Sequence, residues 1–374
     1  MKTRKSIILF TLSVLVICLL FTSGLAPAQE EKKEEQETEA EEQIIIPQPI
    51  KLVLQEGLAQ RQSCLDIPFT FVKHYYLPAR ENFHSIFLFK MKNADLGFAP
   101  PPAELAVEKT EEEKIEEEAK KETPTVPEAE AAPVQLLARL HVFLQFHLLK
   151  EGEPVEIIKE VYIPFNLQVE STAYDPEKEE VYSTGYPLPS GDYLLSMAIT
   201  SSNLQKIGTS YFEFSLPEES LFIEEMDTTP LFFVKKFKEM DAPETMAEIH
   251  QNFFTYSILQ IEPKIENVFS QGEDLDILFF IFGSQPNEEG KFDIGVNYEV
   301  SKEEESIIRF EPITYPSPLV SQPLPMKRTF MIKSEEGEKK ERKDLDPGIY
   351  TLSVNIKDNI SGKSLNKGID FEIK

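Results

Sequence analysis

Residues 347–373 read PGIYTLSVNIKDNISGKSLNKGIDFEI, and residues 189–214 read PSGDYLLSMAITSSNLQKIGTSYFEF. Both stretches open with Pro and a nearby Gly, continue through Tyr-x-Leu-Ser into an alternating segment, cross a polar loop and close on a Phe-Glu pair. Proline presets a turn dihedral and glycine allows a positive one, so each opening starts a strand in a defined direction. The recurrence predicts one β-module used twice.

Alternation of apolar and polar side chains is the dominant pattern elsewhere. In residues 140–148, LHVFLQFHL, every even-numbered position is apolar, and these positions share one face. Successive side chains of a strand point to opposite faces, and a helix would mix these positions. The same alternation, or a short apolar run, predicts strands at Ile67–Val72, Ile86–Met91, Val155–Phe165, Tyr193–Thr200, Ser210–Leu216, Ile258–Ile261, Leu275–Phe282, Phe292–Val300, Ile307–Phe310, Phe330–Ile332, Ile349–Ile356 and Gly368–Ile373. Many short strands joined by turns are typical of an all-β sandwich protein.

Two stretches of biased composition divide the chain. Residues 29–43 hold eight Glu and two Lys, and residues 99–134 hold eleven Glu, four Lys and six Pro. Such segments bury too little apolar surface to offset the entropy of ordering. We predict a disordered acidic tail at 29–43, a first sandwich domain at 44–222 with a disordered acidic insertion at 99–134, and a second sandwich domain at 257–374.

Residues 223–256 are predicted to link the two domains through a strand and a short helix. Leu231-Phe-Phe-Val is an apolar strand that could open the second domain, cover the seam between the domains, or meet another protein through its edge. Asp241 can cap a helix and Pro243 is tolerated in its first turn, so we expect a helix here that packs on the second domain. Its apolar stripe would comprise Met246, Ile249 and Phe253.

The first 28 residues have the three-part pattern of a secretory signal. Basic residues at positions 2, 4 and 5 precede an apolar run from Ile7 to Phe21, and small residues at Ala26 and Ala28 suit a signal peptidase. This run is short for a membrane span, which needs about 20 residues. We expect cleavage after Ala28 and a secreted or periplasmic protein. An uncleaved segment anchored in the membrane is the alternative.

The chain is strongly acidic. Its formal net charge is -27, and removal of residues 1–28, which carry three positive charges and no negative ones, makes it -30. Nucleic acids and anionic lipid surfaces require a cationic face, so neither is an expected partner. Only Cys64 remains after cleavage, so no intrachain disulfide can form and buried apolar surface must hold the fold together.

The last third of the chain carries motifs of a known kind of module. They are Phe269-Ser-Gln-Gly-Glu-Asp-Leu, Gly290-Lys-Phe-Asp-Ile, Leu345-Asp-Pro-Gly-Ile-Tyr-Thr-Leu-Ser-Val, Ser361-Gly-Lys and Phe371-Glu-Ile. With them, residues 265–374 resemble the immunoglobulin-like or fibronectin-like β-sandwich modules of secreted bacterial proteins, in particular accessory modules of proteins with a GWxTD or von Willebrand type A domain. The chain has no Trp, hence no GWxTD motif, and no metal-site motif of a von Willebrand domain. The resemblance implies two tandem immunoglobulin-like β-sandwich domains and no activity.

No strong catalytic motif is recognisable in the sequence. Gly-x-Ser-x-Gly, His-Glu-x-x-His, paired Cys-x-x-Cys, a complete Gly-x-x-x-x-Gly-Lys-Ser/Thr phosphate-binding loop and a dinucleotide fingerprint are all missing. We therefore predict no enzyme, no cofactor and no metal centre. A hydrolase built on two carboxylates stays open, because such residues are identified by their separation in space.

Two pairs of histidines are candidate metal ligands. His141 and His147 share a strand face but lie about 20 Å apart along it, too far to share an ion. His74 and His84 flank a predicted turn at Tyr75-Tyr-Leu-Pro and could come together. No third ligand is evident there, so a loop without metal is the favoured interpretation.

Three acidic residues precede the strand predicted at Leu275–Phe282. Glu273, Asp274 and Asp276 occupy a position where some sandwich proteins hold calcium. Calcium requires six to eight oxygen ligands, and the spacing matches no known calcium loop. The favoured interpretation is the end of a turn, and calcium binding is left open.

Tyr174, Tyr182 and Tyr186 are the candidate partner-binding residues. They occupy a predicted long loop that ends at Pro187. Aromatic side chains on an exposed loop can anchor a protein or stack on a sugar, because they give a large contact area at a small entropy cost. Strand pairing and edge packing explain the three tyrosines equally well.

These observations favour an exported, non-enzymatic scaffold or protein-interaction module of the cell envelope or extracellular space. Its expected partner is another protein of that compartment. A glycan- or surface-binding protein that uses the tyrosine loop is the alternative, and a carboxylate-dependent hydrolase is a third hypothesis. The sequence leaves strand order and oligomeric state open.

Overall fold

The computed structural model describes residues 46–60, 62–101, 134–218, 220–334 and 337–374. The predicted signal peptide, the acidic tail and all but the ends of the predicted insertion lie outside the described residues. At those ends, the backbone N–H of Ala99 donates to the carbonyl of Leu137 at 3.0 Å, and the reverse bond measures 2.8 Å. The two sides of the insertion therefore meet in a β-bridge.

Strands make up most of the described chain, and the all-β prediction is confirmed. The helical elements are α1 (Gln48–Gln60), a 3-10 turn (Asn93–Leu96) and α2 (Leu221–Glu224). The strands are β1 (Thr70–Ala79), β2 (Asn82–Lys92), β3 (Gln135–Lys150), β4 (Glu153–Glu170), β5 (Glu179–Leu188), β6 (Gly191–Ser201), β7 (Ile207–Leu216), β8 (Asp227–Thr228), β9 (Phe232–Glu239), β10 (His250–Gln251), β11 (Phe254–Tyr256), β12 (Leu259–Pro263), β13 (Val268–Phe269), β14 (Leu275–Phe282), β15 (Ile294–Lys302), β16 (Glu305–Arg309), β17 (Ile313–Tyr315), β18 (Leu319–Leu324), β19 (Lys327–Ser334), β20 (Gly337–Asp344), β21 (Gly348–Asp358) and β22 (Ser364–Ile373).

Four sheets form the body of the molecule. Sheet 1 has the order β4-β3-β6-β7, and sheet 2 has the order β1-β2-β5-β10. Sheet 3 has the order β11-β12-β9-β14-β18 with β8 on β14, and sheet 4 has the order β13-β22-β21-β15-β16 with β17 on β15. Strands β19 and β20 form a separate hairpin. Each half of the chain thus contributes a pair of mainly antiparallel sheets.

Three apolar layers separate the four sheets. The first core joins sheets 1 and 2, and the second core joins sheets 3 and 4. A third core joins the outer faces of sheets 2 and 3, where Tyr75 and Leu88 from the first half meet Phe232 and Leu278 from the second. Sheets 2 and 3 are therefore buried on both faces. This burial explains why β2 and β14 read as continuous apolar runs, because a strand with no solvent face has no need for alternation.

Strand β9 belongs to the segment that was predicted to link the domains. It pairs with β12 and with β14, so it lies inside sheet 3. Phe232 points into the third core while Phe233 points into the second. The strand therefore both belongs to the second half and covers the seam. Sheet 3 also continues across the predicted boundary at residue 257, because β11 and β12 are neighbours in it.

The helix predicted from Asp241 is wrong. Residues 240–249 have no helical structure, and Met246 from the expected apolar stripe is 75% exposed. The end of the segment is instead held by sheet 2, because β10 pairs with β5 and the N–H of Asn252 donates to the carbonyl of Val181 at 2.8 Å. A helix this short is marginal in water unless an apolar face packs, and strand pairing competes successfully here.

Helix α1 was not predicted. Ile46, Ile50 and Leu54 recur at a spacing of four residues, which is the signal that was available. All three are buried against Phe143 and Ala198 on the outer face of sheet 1. The helix therefore forms a fifth layer, and its stability comes from this packing.

The two copies of the sequence repeat have the same geometry. The Tyr193 hydroxyl donates to the carbonyl of Pro189 at 2.9 Å, and the Tyr350 hydroxyl donates to the carbonyl of Asp346 at 2.7 Å. Tyr193 stacks on its cross-strand partner Phe214 at 5.3 Å between centroids, and Tyr350 stacks on Phe371 at 5.6 Å. Gly191 and Gly348, which precede the tyrosines by two residues, have φ angles of 150° and 151°. Positive φ of this kind is readily adopted only by glycine.

Replacing Tyr193 or Tyr350 by phenylalanine is expected to lower the free energy of unfolding by about 1 kcal/mol in each case, because each change removes one hydrogen bond from a buried ring. Urea denaturation followed by circular dichroism measures the change. Tyr174→Phe is the matched control, since its hydroxyl lies 3.5 Å from the carbonyl of Asn93 and forms a weak bond at most. A loss of stability for only one of the two substitutions would show that the two copies of the repeat are not energetically equivalent.

Candidate functional site

The three candidate tyrosines do not form an exposed loop, and that prediction is wrong. Tyr182 and Tyr186 lie in β5, which pairs with β2 over ten residues. Tyr182 is 1% exposed in the first core, and Tyr186 stacks on Phe146 at 5.7 Å between centroids. Tyr174 lies in the turn before β5, where its ring contacts Phe98 at 5.3 Å. Tyr182, Thr184 and Tyr186 occupy alternate positions, which is a pattern typical of a strand. The neighbouring glutamates and proline are typical of a loop and led to the wrong prediction.

His74 and His84 lie on opposite faces of sheet 2. His74 stacks on Phe87 at 4.9 Å between ring centroids, in the first core. Burial lowers the pKa of His74 to about 4. His84 faces the third core beside Tyr256, and the predicted turn between the two histidines is part of β1. The two rings therefore cannot share an ion.

His141 and His147 lie on the face of sheet 1 that α1 covers. Nδ1 of His141 forms a hydrogen bond of 2.9 Å with the hydroxyl of Tyr162. His147 is buried, which lowers its pKa, while the charge of Glu160 opposes the shift. Glu160 itself accepts from Gln145 at 2.7 Å and from Lys51 at 2.8 Å. This polar layer attaches the helix to the sheet.

The acidic residues before β14 contact separate partners. Lys264 donates to Glu273, and the N–H of Ser270 donates to the same carboxylate at 2.8 Å. Burial opposes these bonds, but their combined effect lowers the pKa of Glu273. Asp274 accepts from the N–H of Met326 at 3.3 Å. Burial and the charge of Asp274 raise the pKa of Asp276. The contacts give the calcium hypothesis no support.

A cleft of about 560 Å³ opens at one end of the third core. It lies between the β1–β2 turn, strand β5 and the irregular segment that precedes β10. The lining includes Pro78, Pro187, His84, Glu244, Glu248 and His250. Burial lowers the pKa of His84, while a hydrogen bond to the backbone of Thr255 and the charge of Glu244 oppose the shift. The cleft therefore combines apolar walls with a small group of titratable side chains.

Glu244, Glu248 and His250 converge at this cleft. One ligand atom from each lies within 4.8 Å of the others, and this is the one such group of three in the described part of the chain. Nε2 of His250 lies 3.0 Å from Oε2 of Glu244, and the Thr255 hydroxyl donates to the same oxygen at 2.7 Å. The His250 ring stacks on Phe253 at 4.6 Å between centroids. This group was not predicted from the sequence, because residues from Asp241 onward were expected to form a helix.

Strand β4 presents a second candidate surface. It is the edge strand of sheet 1 and pairs with β3 alone among the described strands. Val155, Ile157 and Ile158 near its start are 57%, 41% and 38% exposed. We call these three residues the β4 edge. Apolar side chains beside unpaired backbone groups are what another extended chain can pair with.

The cleft and the β4 edge are two surfaces of the described residues on which functional chemistry can be placed. Within the described ranges, none of the helices has the length and apolar character to span a bilayer. No family model matches the chain, and no curated protein matches it.

Proposed function

We propose that the chain is an exported, non-enzymatic protein-interaction module whose β4 edge binds an extended segment of another envelope or extracellular protein. The observation that carries this proposal is the run of exposed apolar side chains on an unpaired strand edge. The secretory pattern of residues 1–28 supports the exported location. The tyrosine-to-backbone bond in both halves supports the immunoglobulin-like resemblance, since sandwiches of that kind use such a corner.

Edge protection limits where a partner can contact β4. Soluble proteins normally shield a sheet edge with charge, proline, a bulge or a covering element, because an open edge aggregates. In β4, Glu160 pairs with Lys51 of α1, and residues 153–158 are all exposed. Pro154 and two register shifts against β3, at Val155 and Ile158, interrupt this part of the edge. The exposed side chains of Val155, Ile157 and Ile158 are therefore the contact surface that supports a binding role.

Charge around the β4 edge defines the chemistry of its partner. Glu151, Glu153 and Glu156 are exposed beside the three apolar residues. Complementary charge steers association and selects partners. We therefore expect the bound segment to have apolar side chains at alternate positions in its centre and Lys or Arg at its ends.

A library of random linear peptides displayed on phage tests this proposal. Peptides selected on the purified chain are expected to be apolar with basic flanks, and to slow amide exchange at residues 153–158. The double variant Val155→Lys, Ile157→Lys is expected to bind them at least about tenfold more weakly, because it replaces the contact surface with charge. Its stability should change by less than about 0.5 kcal/mol, since both positions are exposed.

Ile349→Lys is the matched control for this experiment. Ile349 is 70% exposed on the outer face of sheet 4, so the same substitution there adds charge far from β4. The control is expected to bind the selected peptides like the unaltered chain. Selected peptides that bind the double variant equally well, or a selection that enriches no peptide, would refute the proposal.

Glycan binding through the three tyrosines is the weaker alternative. A sugar platform needs exposed aromatic faces. Tyr182 is buried and Tyr186 is stacked on Phe146, so the described arrangement offers no such platform at these positions. The β4 edge is therefore the surface on which we place binding.

A further inference from the structure

The group at the cleft has the ligand chemistry of a transition-metal site. It offers one imidazole nitrogen and two carboxylates, which are ligands of Zn²⁺ and related divalent ions. Glu248 is exposed, whereas the side chains of Glu244 and His250 are 26% and 10% exposed. Three protein ligands with a neighbouring cavity are the arrangement in which zinc keeps one coordination position open.

The spacing of the ligand atoms fits a tetrahedral ion. Zinc binds imidazole nitrogen and carboxylate oxygen at about 2.0–2.2 Å, so neighbouring ligands of a tetrahedral ion lie roughly 3.3 Å apart. Nε2 of His250 and Oε2 of Glu244 are 3.0 Å apart. All three ligand atoms lie within 4.8 Å. Rotation of the exposed Glu248 side chain can close the remaining gap.

Two of the three ligands are oriented by their neighbours. The pairing of β10 with β5 places His250 opposite Ser183, and stacking on Phe253 restricts its ring. The Thr255 hydroxyl donates to the Glu244 oxygen that also faces His250. Hydrogen bonds of this kind orient the residues that coordinate a metal, and their loss weakens metal binding by about 10–100-fold. The group is therefore more than a chance cluster of acids.

We propose that Glu244, Glu248 and His250 bind a zinc-class divalent ion whose fourth coordination position opens to the cleft and takes a water molecule. The ion would tie the irregular segment 240–249 to sheet 2, and it would give the cleft a Lewis-acidic centre. This site lies apart from the β4 edge, so it goes beyond the proposed function.

Titration of the chelator-treated full chain with Zn²⁺ tests this proposal. The titration uses a Cys64→Ser background to exclude thiolate binding and an excess of Mg²⁺ to occupy weak carboxylate sites. Calorimetry is expected to show one zinc per chain, and Co²⁺ is expected to give the strong visible absorption of a tetrahedral ion. His250→Ala and Glu248→Gln are each expected to weaken zinc binding by at least tenfold.

Two further variants, Thr255→Val and His141→Ala, distinguish zinc binding at an oriented site from nonspecific attraction of zinc to an acidic chain. Thr255→Val removes only the orienting hydroxyl and is expected to weaken binding about tenfold. His141→Ala, on the covered face of sheet 1, is expected to bind zinc normally. Circular dichroism reports folding, and exposed Glu248 provides a variant that leaves the fold intact. An unaltered chain that binds no zinc, or equal binding by Glu248→Gln, would overturn the proposal.

Discussion

Replacing Phe232 by alanine is expected to lower the free energy of unfolding by about 3–5 kcal/mol, because the truncation removes buried surface and leaves a cavity. Phe232 is 2% exposed in the third core. It stacks on Tyr75 at 4.5 Å between centroids and lies 6.0 Å from Phe254. Since Tyr75 belongs to the first half of the chain, the substitution should destabilise both sheet 2 and sheet 3.

Native-state hydrogen exchange measures where the stability is lost. In Phe232→Ala, amides of β2 and of β14 are expected to lose protection together, because both strands line the third core. Ile349→Ala on the outer face of sheet 4 is the control and should change stability by less than about 0.5 kcal/mol. Protection lost in β14 but unchanged in β2 would show that the two sandwiches are energetically independent.

Acid is expected to destabilise the protein through His74. The His74 ring lies among Tyr76, Phe87, Phe212 and Phe214, and its Nε2 has no hydrogen-bond partner among the described residues. Burial lowers its pKa from 6.5 to about 4. Between these two values the unfolded chain binds a proton that the folded chain rejects, so stability falls as the pH falls. The loss is about 3 kcal/mol by pH 4 and is absent above pH 7.

Comparison of the unaltered chain with His74→Leu isolates this contribution. The stability of the variant relative to the unaltered chain is expected to rise by about 3 kcal/mol between pH 7 and pH 4, because leucine cannot be protonated. His84 and His147, whose pKa values are also lowered by burial, cancel in this difference. Phe212→Leu disturbs the contact with the His74 ring without removing a titratable group. The difference in stability between this variant and the unaltered chain should therefore be independent of pH. A pH-independent difference for His74→Leu would contradict the prediction.

Strands with regular alternation or a continuous apolar run were predictable from the sequence. Residues 140–148 alternate because their even-numbered side chains enter the first core, and the observed β3 contains the whole stretch. Strand β14 begins and ends where the apolar run predicts, at Leu275 and Phe282. The repeat was also readable, because its turn, tyrosine and phenylalanine are local features that each copy carries in the same order.

Elements that depend on distant partners were not predictable in this way. Strand β5 contains glutamates and Pro187, which are typical of loops, and it is a strand because β2 supplies its hydrogen bonds over ten residues. The helix expected from Asp241 is absent because β10 pairs with β5. Helix α1 forms because Phe143 and Ala198 bury its apolar stripe. In β5 and at Asp241 a tertiary contact outweighs a local preference of the chain, and in α1 it reinforces one.

The sequence by itself determined the strand content, the duplication and the acidic character of this protein, since each depends on residue type and spacing. Only the tertiary structure decided that sheets 2 and 3 pack face to face, that β4 is an edge, and that Glu244, Glu248 and His250 meet. The physical reason is that alternation records how many faces of a strand are buried but not which sheet covers them. Neighbours distant in sequence are chosen by the burial of apolar surface and the pairing of backbone groups over the whole chain.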